Sequence, residues 1–112
     1  MLWIFCLTLL LQPNHVKRVI DGDTFIVYSI GVTDEERIRI LNLDTPELHD
    51  TSAVVRIQAL MARDSTAAWL ARGPFKLDGC RRDSFGRILA IITRGSDTLA
   101  VDLINWGLGI RR

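Results

Sequence analysis

Cysteine is nearly missing. The 112 residues include only Cys6 and Cys80, and Cys6 sits inside an apolar run. Two thiols so placed make neither a disulfide framework nor a thiolate metal site, and Cys80 reads as a buried, inert side chain. Net charge is nearly missing too, since 14 Lys and Arg against 13 Asp and Glu leave a formal +1. So even a balance gives no compositional sign of nucleic-acid binding, and any such function must come from local placement. Long hydrophobic runs are also lacking. The opening "MLWIFCLTLLL" is eleven residues without charge, too short to span a bilayer. It suits a signal-peptide core or an interfacial anchor, without a basic leader or a small-residue cleavage site, or else an additional strand. Repeats, linkers and low-complexity tracts do not occur. The expected organisation is an apolar segment at 1–13 followed by one domain at 14–112.

What is present supports a small core. Hydrophobic residues make up 48% of the chain, and a chain of this length buries roughly two-thirds of its unfolded surface. Residues 15–20, 24–30 and 36–43 read as three strands with short connections, Asp21-Gly22-Asp23 forming the first turn and residues 32–35 the second. A helix is expected over 53–72, capped by Asp50, Thr51 or Ser52 and stopped by Gly73-Pro74. Val54, Ile57, Leu60, Met61, Ala68 and Ala71 supply its apolar stripe, interrupted by Asp64. Strands at 75–77 and 85–93 follow, separated by a polar segment at 78–84. A last helix over 99–106 is capped by Ser96 or Asp97, with Leu99, Leu103 and Trp106 as its buried face. Three strands, a helix, two strands and a helix describe an α+β, mainly β, fold: a five-stranded OB-fold Greek-key barrel with two packed α-helices.

Two polar stretches do not suit a plain barrel. In "IDGDT" the Asp21-Gly22 pair is good hairpin chemistry, but Asp23 opens a strand where Thr or Val would serve better. In "RIRILNLDTPEL" an otherwise apolar strand carries Arg37 and Arg39 and runs into Asp44, Thr45, Pro46 and Glu47. Asp21, Asp23, Asp44 and Glu47 thus fall at the ends of adjacent strands, where their mutual repulsion calls for a cation. All-oxygen donors without His or Cys point to a hard divalent ion, Ca²⁺ before Mg²⁺. Arg39 and Asp44, five residues apart, would face opposite ways in a regular strand. A bulge or the end of the strand is therefore expected between Leu41 and Asp44. Arg87, Arg81, Arg82 and the Arg37/Arg39 pair are candidates for one basic surface.

"VIDGDT", "RIRILNLDTPE" and "RDSFGRILA", in this order and spacing, resemble the signature segments of the staphylococcal nuclease (thermonuclease) family. The resemblance runs from about Val16 to Leu108. It implies an OB-fold hydrolase that cleaves phosphodiester bonds in DNA and RNA with Ca²⁺, favouring single strands, with low sequence specificity and 3′-phosphate products. Position by position, it makes Asp23 and Asp44 direct metal ligands, with the Thr45 carbonyl beside them and Asp21 acting through water. Glu47 matches the general base, and Arg39 and Arg87 match the arginines that grip the scissile phosphate. It also implies secretion or a periplasmic or membrane-associated site, where Ca²⁺ is plentiful. Two departures stand out. Phe85 replaces the family's tyrosine, and "GLGIRR" closes the sequence before the family's further loop and third helix. Both favour the alternative of a catalytically weak OB-fold module that binds nucleic acid or protein. No protein partner is identifiable, and oligomeric state is not legible.

Overall fold

The computed structural model describes residues 7–28 and 34–112, leaving out the side chains of Leu7 and Cys80. The expectations for residues 1–6, for the turn beginning at Val32 and for the Cys80 thiol lie outside the described residues. Among the described residues there are seven strands: β1 (Leu7–Leu11), β2 (Val16–Asp21), β3 (Thr24–Tyr28), β4 (Glu35–Ile40), β5 (Phe75–Arg82), β6 (Ile88–Arg94) and the short β7 (Asp97–Thr98). They form one mixed sheet in the order β1-β5-β6-β4-β3-β2, with β7 on β6. It curls through 184°, half a barrel, and two helices, α1 (Ala53–Ala71) and α2 (Leu99–Asn105), accompany it.

This architecture is broadly OB-fold-like, but it corrects the expectation of a closed five-stranded Greek-key barrel. The path ends at β1 and β2, and these are not paired with each other among the described residues. The apolar "LTLLL" supplies a further edge strand on β5, with Leu9 opposite Leu77. Residues 78–84 do not separate two strands at their start, because β5 continues to Arg82 through an irregularity between Gly79 and Arg81. The break comes at 83–87 instead, where Asp83 N donates to Arg87 O and Gly86, at φ +82°, completes a turn. Glycine is required there because other residues resist that backbone angle.

The core follows from strand periodicity. β3 is apolar along nearly its whole length and buries Phe25, Ile26 and Val27. β4 and β6 alternate, turning Ile38, Ile40, Ile88, Ala90 and Ile92 inward. Each of these isoleucines is worth about 1.5–3 kcal/mol when fully buried. Phe25 and Phe75 meet edge to face, with ring centroids 6.3 Å apart.

The helices correct the sequence reading twice. Ser52 caps α1 by accepting from Val55 N, but the expected stripe faces solvent, with Val54, Ile57, Leu60, Met61, Ala68 and Ala71 all exposed. The buried face is Ala59, Ala62, Thr66, Trp69 and Leu70. Close approach explains the choice. Gly22 in the β2–β3 turn has Ala62 so near that an added Cβ would stand 2.8 Å from it, and the Thr66 hydroxyl donates to Gly22 O at 2.7 Å. Only small residues fit that contact, whereas the larger apolar residues would hold helix and turn apart. No helix among the described residues is long and apolar enough to cross a membrane.

The second correction concerns tryptophan. Trp106 is 48% exposed, and the core tryptophan is Trp69, fully buried. Its Nε1 donates to Asp102 of α2 at 2.9 Å, tying the helices together. Arg94 lies over its ring at 4.1 Å and donates to the Gly73 and Pro74 carbonyls at the end of α1. The start of α2 differs as well, since its N-cap is Thr98 without a side-chain cap bond. We expect Trp69→Phe to cost about 1–3 kcal/mol in thermal or urea unfolding, because the Asp102 carboxylate loses its donor. Trp106→Phe should cost less; an equal or larger loss would reject this division of roles.

Candidate active site

Neighbouring strands deliver the polar cluster. β3 and β4 pair antiparallel with Thr24 opposite Arg39, and Ile40 N donates to Asp23 O at 2.8 Å. β4 and β6 pair in parallel with Arg39 beside Leu89, so Arg87, just ahead of β6, starts at the same end of the sheet. After Ile40 the chain leaves the strand and Asn42 adopts φ +66°, a left-handed angle that asparagine tolerates better than most residues. That is the irregularity expected between Leu41 and Asp44. It brings Arg39 and Asp44 onto one side.

The Arg39 guanidinium is nearly enclosed. Nη1 donates to the carbonyls of Ile40 and Leu43 at 2.8 and 2.7 Å. Nη2 donates to Asp44 Oδ1 at 2.6 Å and stands 3.5 Å from Asp23 Oδ2. Arg112 reaches the same Asp44 oxygen at 3.2 Å. Asp23 Oδ2 also accepts from Thr45 N at 3.1 Å, and Oδ1 accepts from the Thr24 hydroxyl at 3.0 Å. Asp21 Oδ1 accepts from Asp23 N at 3.2 Å. Asp21, Asp23, Asp44, Thr45 and Arg39 therefore form one bonded group.

Their electrostatics differ. Burial is the largest influence on Asp21, followed by its contact with the Asp23 carboxyl, and together they push it up to about 7. Burial also opposes charge on Asp23, but the bond to Asp21 and the Arg39 guanidinium hold it below the usual carboxylate range. Below about pH 7 the pair thus keeps one proton, on Asp21, and one negative charge. Glu47 is exposed on its loop and has no side-chain bond to the group, though its charge contributes to raising Asp21. No three of His, Cys, Asp or Glu among the described residues stand ready to hold a metal as they are.

Arg39 and Arg87 line one cavity of about 410 Å³, with Arg81, Arg112, Asp83 and Phe85 among the other walls. Asp83 fixes Arg87 by accepting from its Nε at 2.7 Å and from its backbone N at 3.0 Å, while Phe85 offers its ring at 5.4 Å. Two guanidiniums converging on one open space can bind two oxygens of a phosphate diester.

Comparison with known proteins points the same way. The chain is 36% identical over 95 residues to the thermonuclease of Staphylococcus intermedius, covering 83% of this chain and 55% of that protein. It is 33% identical over 99 residues to the thermonuclease of Staphylococcus hyicus, covering 87% and 57%. Over most of its length the chain is similar to thermonucleases. It spans about half the length of these curated relatives. No family model matches it.

Of the basic residues singled out in the sequence, Arg39, Arg81 and Arg87 share the cavity. Arg82 instead pairs with Glu36 at 2.7 Å, and exposed Arg37 is not in the cavity wall. Sequence reasoning missed Asp83 and Arg112. Asp83 had a legible signal, a carboxylate four residues before Arg87 across a glycine turn. Arg112 had none, since its approach to Asp44 depends on the chain path after α2.

The raised Asp21 makes stability depend on pH. Unfolded it ionises near 3.8, and folded it keeps its proton to about 7. Between those values the folded chain binds a proton that the unfolded chain has released, so this group lowers stability as pH rises through the window. Asp23 acts elsewhere, its contribution being present above its unfolded value and lost on acidification. In chelator, wild type should lose more melting temperature than Asp21→Asn between pH 4 and pH 7. Parallel pH profiles would reject the assignment.

Proposed function

We propose that the chain is a thermonuclease-family OB-fold module that hydrolyses phosphodiester bonds of DNA and RNA, preferring single strands, with Ca²⁺ and little sequence preference. The observation carrying this reading is the convergence of Arg39 and Arg87 on one cavity whose Arg39 wall is bonded to Asp44 and neighbours Asp23. A phosphodiester is an anion, and an attacking oxygen adds charge to it in the transition state. Guanidiniums already in place stabilise that charge without reorganising.

The residues fit a hard cation. Asp21, Asp23 and Asp44 offer only oxygen, and Thr45 Oγ1 beside them is buried without a hydrogen-bond partner. Asp23 and Asp44 would hold Ca²⁺ directly, with the Thr45 carbonyl beside them and Asp21 acting through water. Such an ion supplies Lewis-acid polarisation of the phosphoryl oxygen. Glu47 takes the proton of the attacking water, whose oxygen bonds to phosphorus as the phosphorus–O5′ bond breaks; the leaving O5′ takes a proton from solvent, and the products carry a 3′-phosphate and a 5′-hydroxyl. The need for Ca²⁺ favours a place of work outside the cytoplasm. Phe85, 82% exposed beside Arg87, offers a stacking face and no hydroxyl. It favours grip on bases over grip on phosphate.

The choice of variants matters. Arg39→Ala would strand the Ile40 and Leu43 carbonyls and leave Asp44 and Asp23 without their main counter-charge, so lost activity could merely report lost folding. Glu47 has no such duty. We expect single-stranded and plasmid DNA to be degraded with Ca²⁺ and preserved in chelator. Glu47→Gln should lower the rate about 10²- to 10⁴-fold at an unchanged melting temperature. Arg87→Ala should lower it comparably. DNA left intact with Ca²⁺ by a folded wild-type protein would overturn the hydrolase and favour the binding module.

A further inference from the structure

A second cavity adjoins the carboxylate–arginine group at Asp44. It measures about 350 Å³ and is walled by Asp44, Thr45, Pro46, Gln58 and the strip Gly107, Leu108, Gly109 and Ile110. Asp44 joins the two spaces, since it lines this cavity while Arg39 and Arg112, which line the first, both bond to it.

The wall is built, not incidental. After α2, Gly107 turns the chain at φ +74°, and residues 107–110 return alongside Asp44. Asp44 N donates to Ile110 O at 2.9 Å and Ile110 N to Asp44 O at 2.8 Å, an isolated antiparallel bridge. Gly109 lies so close that an added Cβ would meet Leu43 Cδ1 at 2.6 Å and the Asp44 carbonyl at 2.9 Å. The strip is therefore locked to the backbone of the residue that anchors the charged group. The space it encloses is walled by apolar Pro46, Leu108 and Ile110 and by exposed Gln58, whose side chain carries a carboxamide.

A polymer held at Arg39 and Arg87 has a nucleoside on each side of the phosphate. The arginine-lined cavity can take one of them. The other needs a space of its own, and the cavity bordered by Asp44 and Thr45 adjoins the same bonded group. Resting on the nuclease reading above, we infer that the Pro46–Gln58–Ile110 cavity is a nucleoside-binding subsite for the residue on the far side of the scissile phosphate. The apolar walls accept a base face of any identity, and an amide that both donates and accepts can meet more than one base edge. This cavity lacks arginine, so it binds a nucleoside rather than another phosphate.

The test uses thymidine oligonucleotides with one cleavable phosphodiester and neutral, uncleavable methylphosphonates elsewhere, extended one nucleotide at a time on either the 5′ or the 3′ side. In wild type, extension in one direction should raise kcat/KM about fivefold or more, the scale of one base-stacking contact. Gln58→Trp and Ile110→Trp each block the cavity from a different wall, at exposed positions. Both should abolish that gain while leaving the shortest substrate within about twofold of wild type, and Gln58→Ala should reduce it in part. A length gain that survives in the blocked variants overturns the subsite. If wild type cleaves nothing, the hydrolase reading fails separately, and anisotropy of a fluorescein-labelled, uncleavable tetranucleotide decides the subsite. Tighter binding than a dinucleotide in wild type, lost in Gln58→Trp, supports it; no length effect in wild type overturns it.

Discussion

The Arg39 guanidinium organises this molecule's polar end. A buried cation is costly unless its hydrogen bonds and charge are met, and here both needs are satisfied from one short segment. The carbonyls of Ile40 and Leu43 take one terminal nitrogen and the Asp44 carboxylate takes the other. Satisfying Arg39 therefore fixes the path of residues 40–44. The left-handed Asn42, the turn away from β4 and the position of Asp44 follow from it. Asp44 then anchors the strip after α2 through its backbone bridge with Ile110. One guanidinium lines the first cavity and, through Asp44, positions a wall of the second.

Packing supplies the other half of the site. Asp21 and Asp23 flank a glycine onto which α1 is pressed so closely that a methyl group would collide with Ala62 and Thr45. The helix holds the turn with small side chains and one hydroxyl bond, from Thr66 to Gly22. This explains why the long apolar side chains of α1 are on the outside. A contact optimised for large residues would bury more area, but it would lift the helix and release the acidic turn. The exposed stripe is the cost of that close approach.

Local signals in the sequence carried the strands and the polar cluster. The Asp21-Gly22 turn, the alternation in "RIRI" and the conflict in spacing between Arg39 and Asp44 were enough to expect three strands and a break near Leu41. They also brought Asp21, Asp23, Asp44, Thr45 and Arg39 together on paper. The helix faces were not legible, because periodicity reports which residues share a face and says nothing about which face meets the sheet. For α1 the apolar stripe at Val54, Ile57 and Met61 and the smaller one at Ala59, Ala62 and Trp69 are both helical in spacing. Proximity to Gly22 decided between them, and that is a tertiary fact. The same holds for the tryptophans, since only the packing of α1 on α2 gives Trp69 its acceptor in Asp102. Strand count failed for another reason, as a short apolar run is equally good as an edge strand or an anchor.

The bonded group also shows how three acids and a basic cluster coexist near neutral net charge. Asp44 is balanced by two guanidiniums, Asp23 by part of one, and Asp21 by retaining its proton. These are internal stand-ins for a cation. They keep the carboxylates assembled, yet each can be given up, since a proton can leave Asp21 and the arginines retain other donors for a phosphate. With a divalent ion held at Asp23 and Asp44, the guanidiniums of Arg39 and Arg112 would no longer be needed as counter-charges to Asp44. They already line the cavity where a phosphate would lie, so only side-chain donors would change partners. Arg39 would keep its bonds to the Ile40 and Leu43 carbonyls throughout, and with them the backbone path. On the proposed reading, such a site would exchange counter-ions without refolding, the preorganisation that stabilising a charged transition state demands.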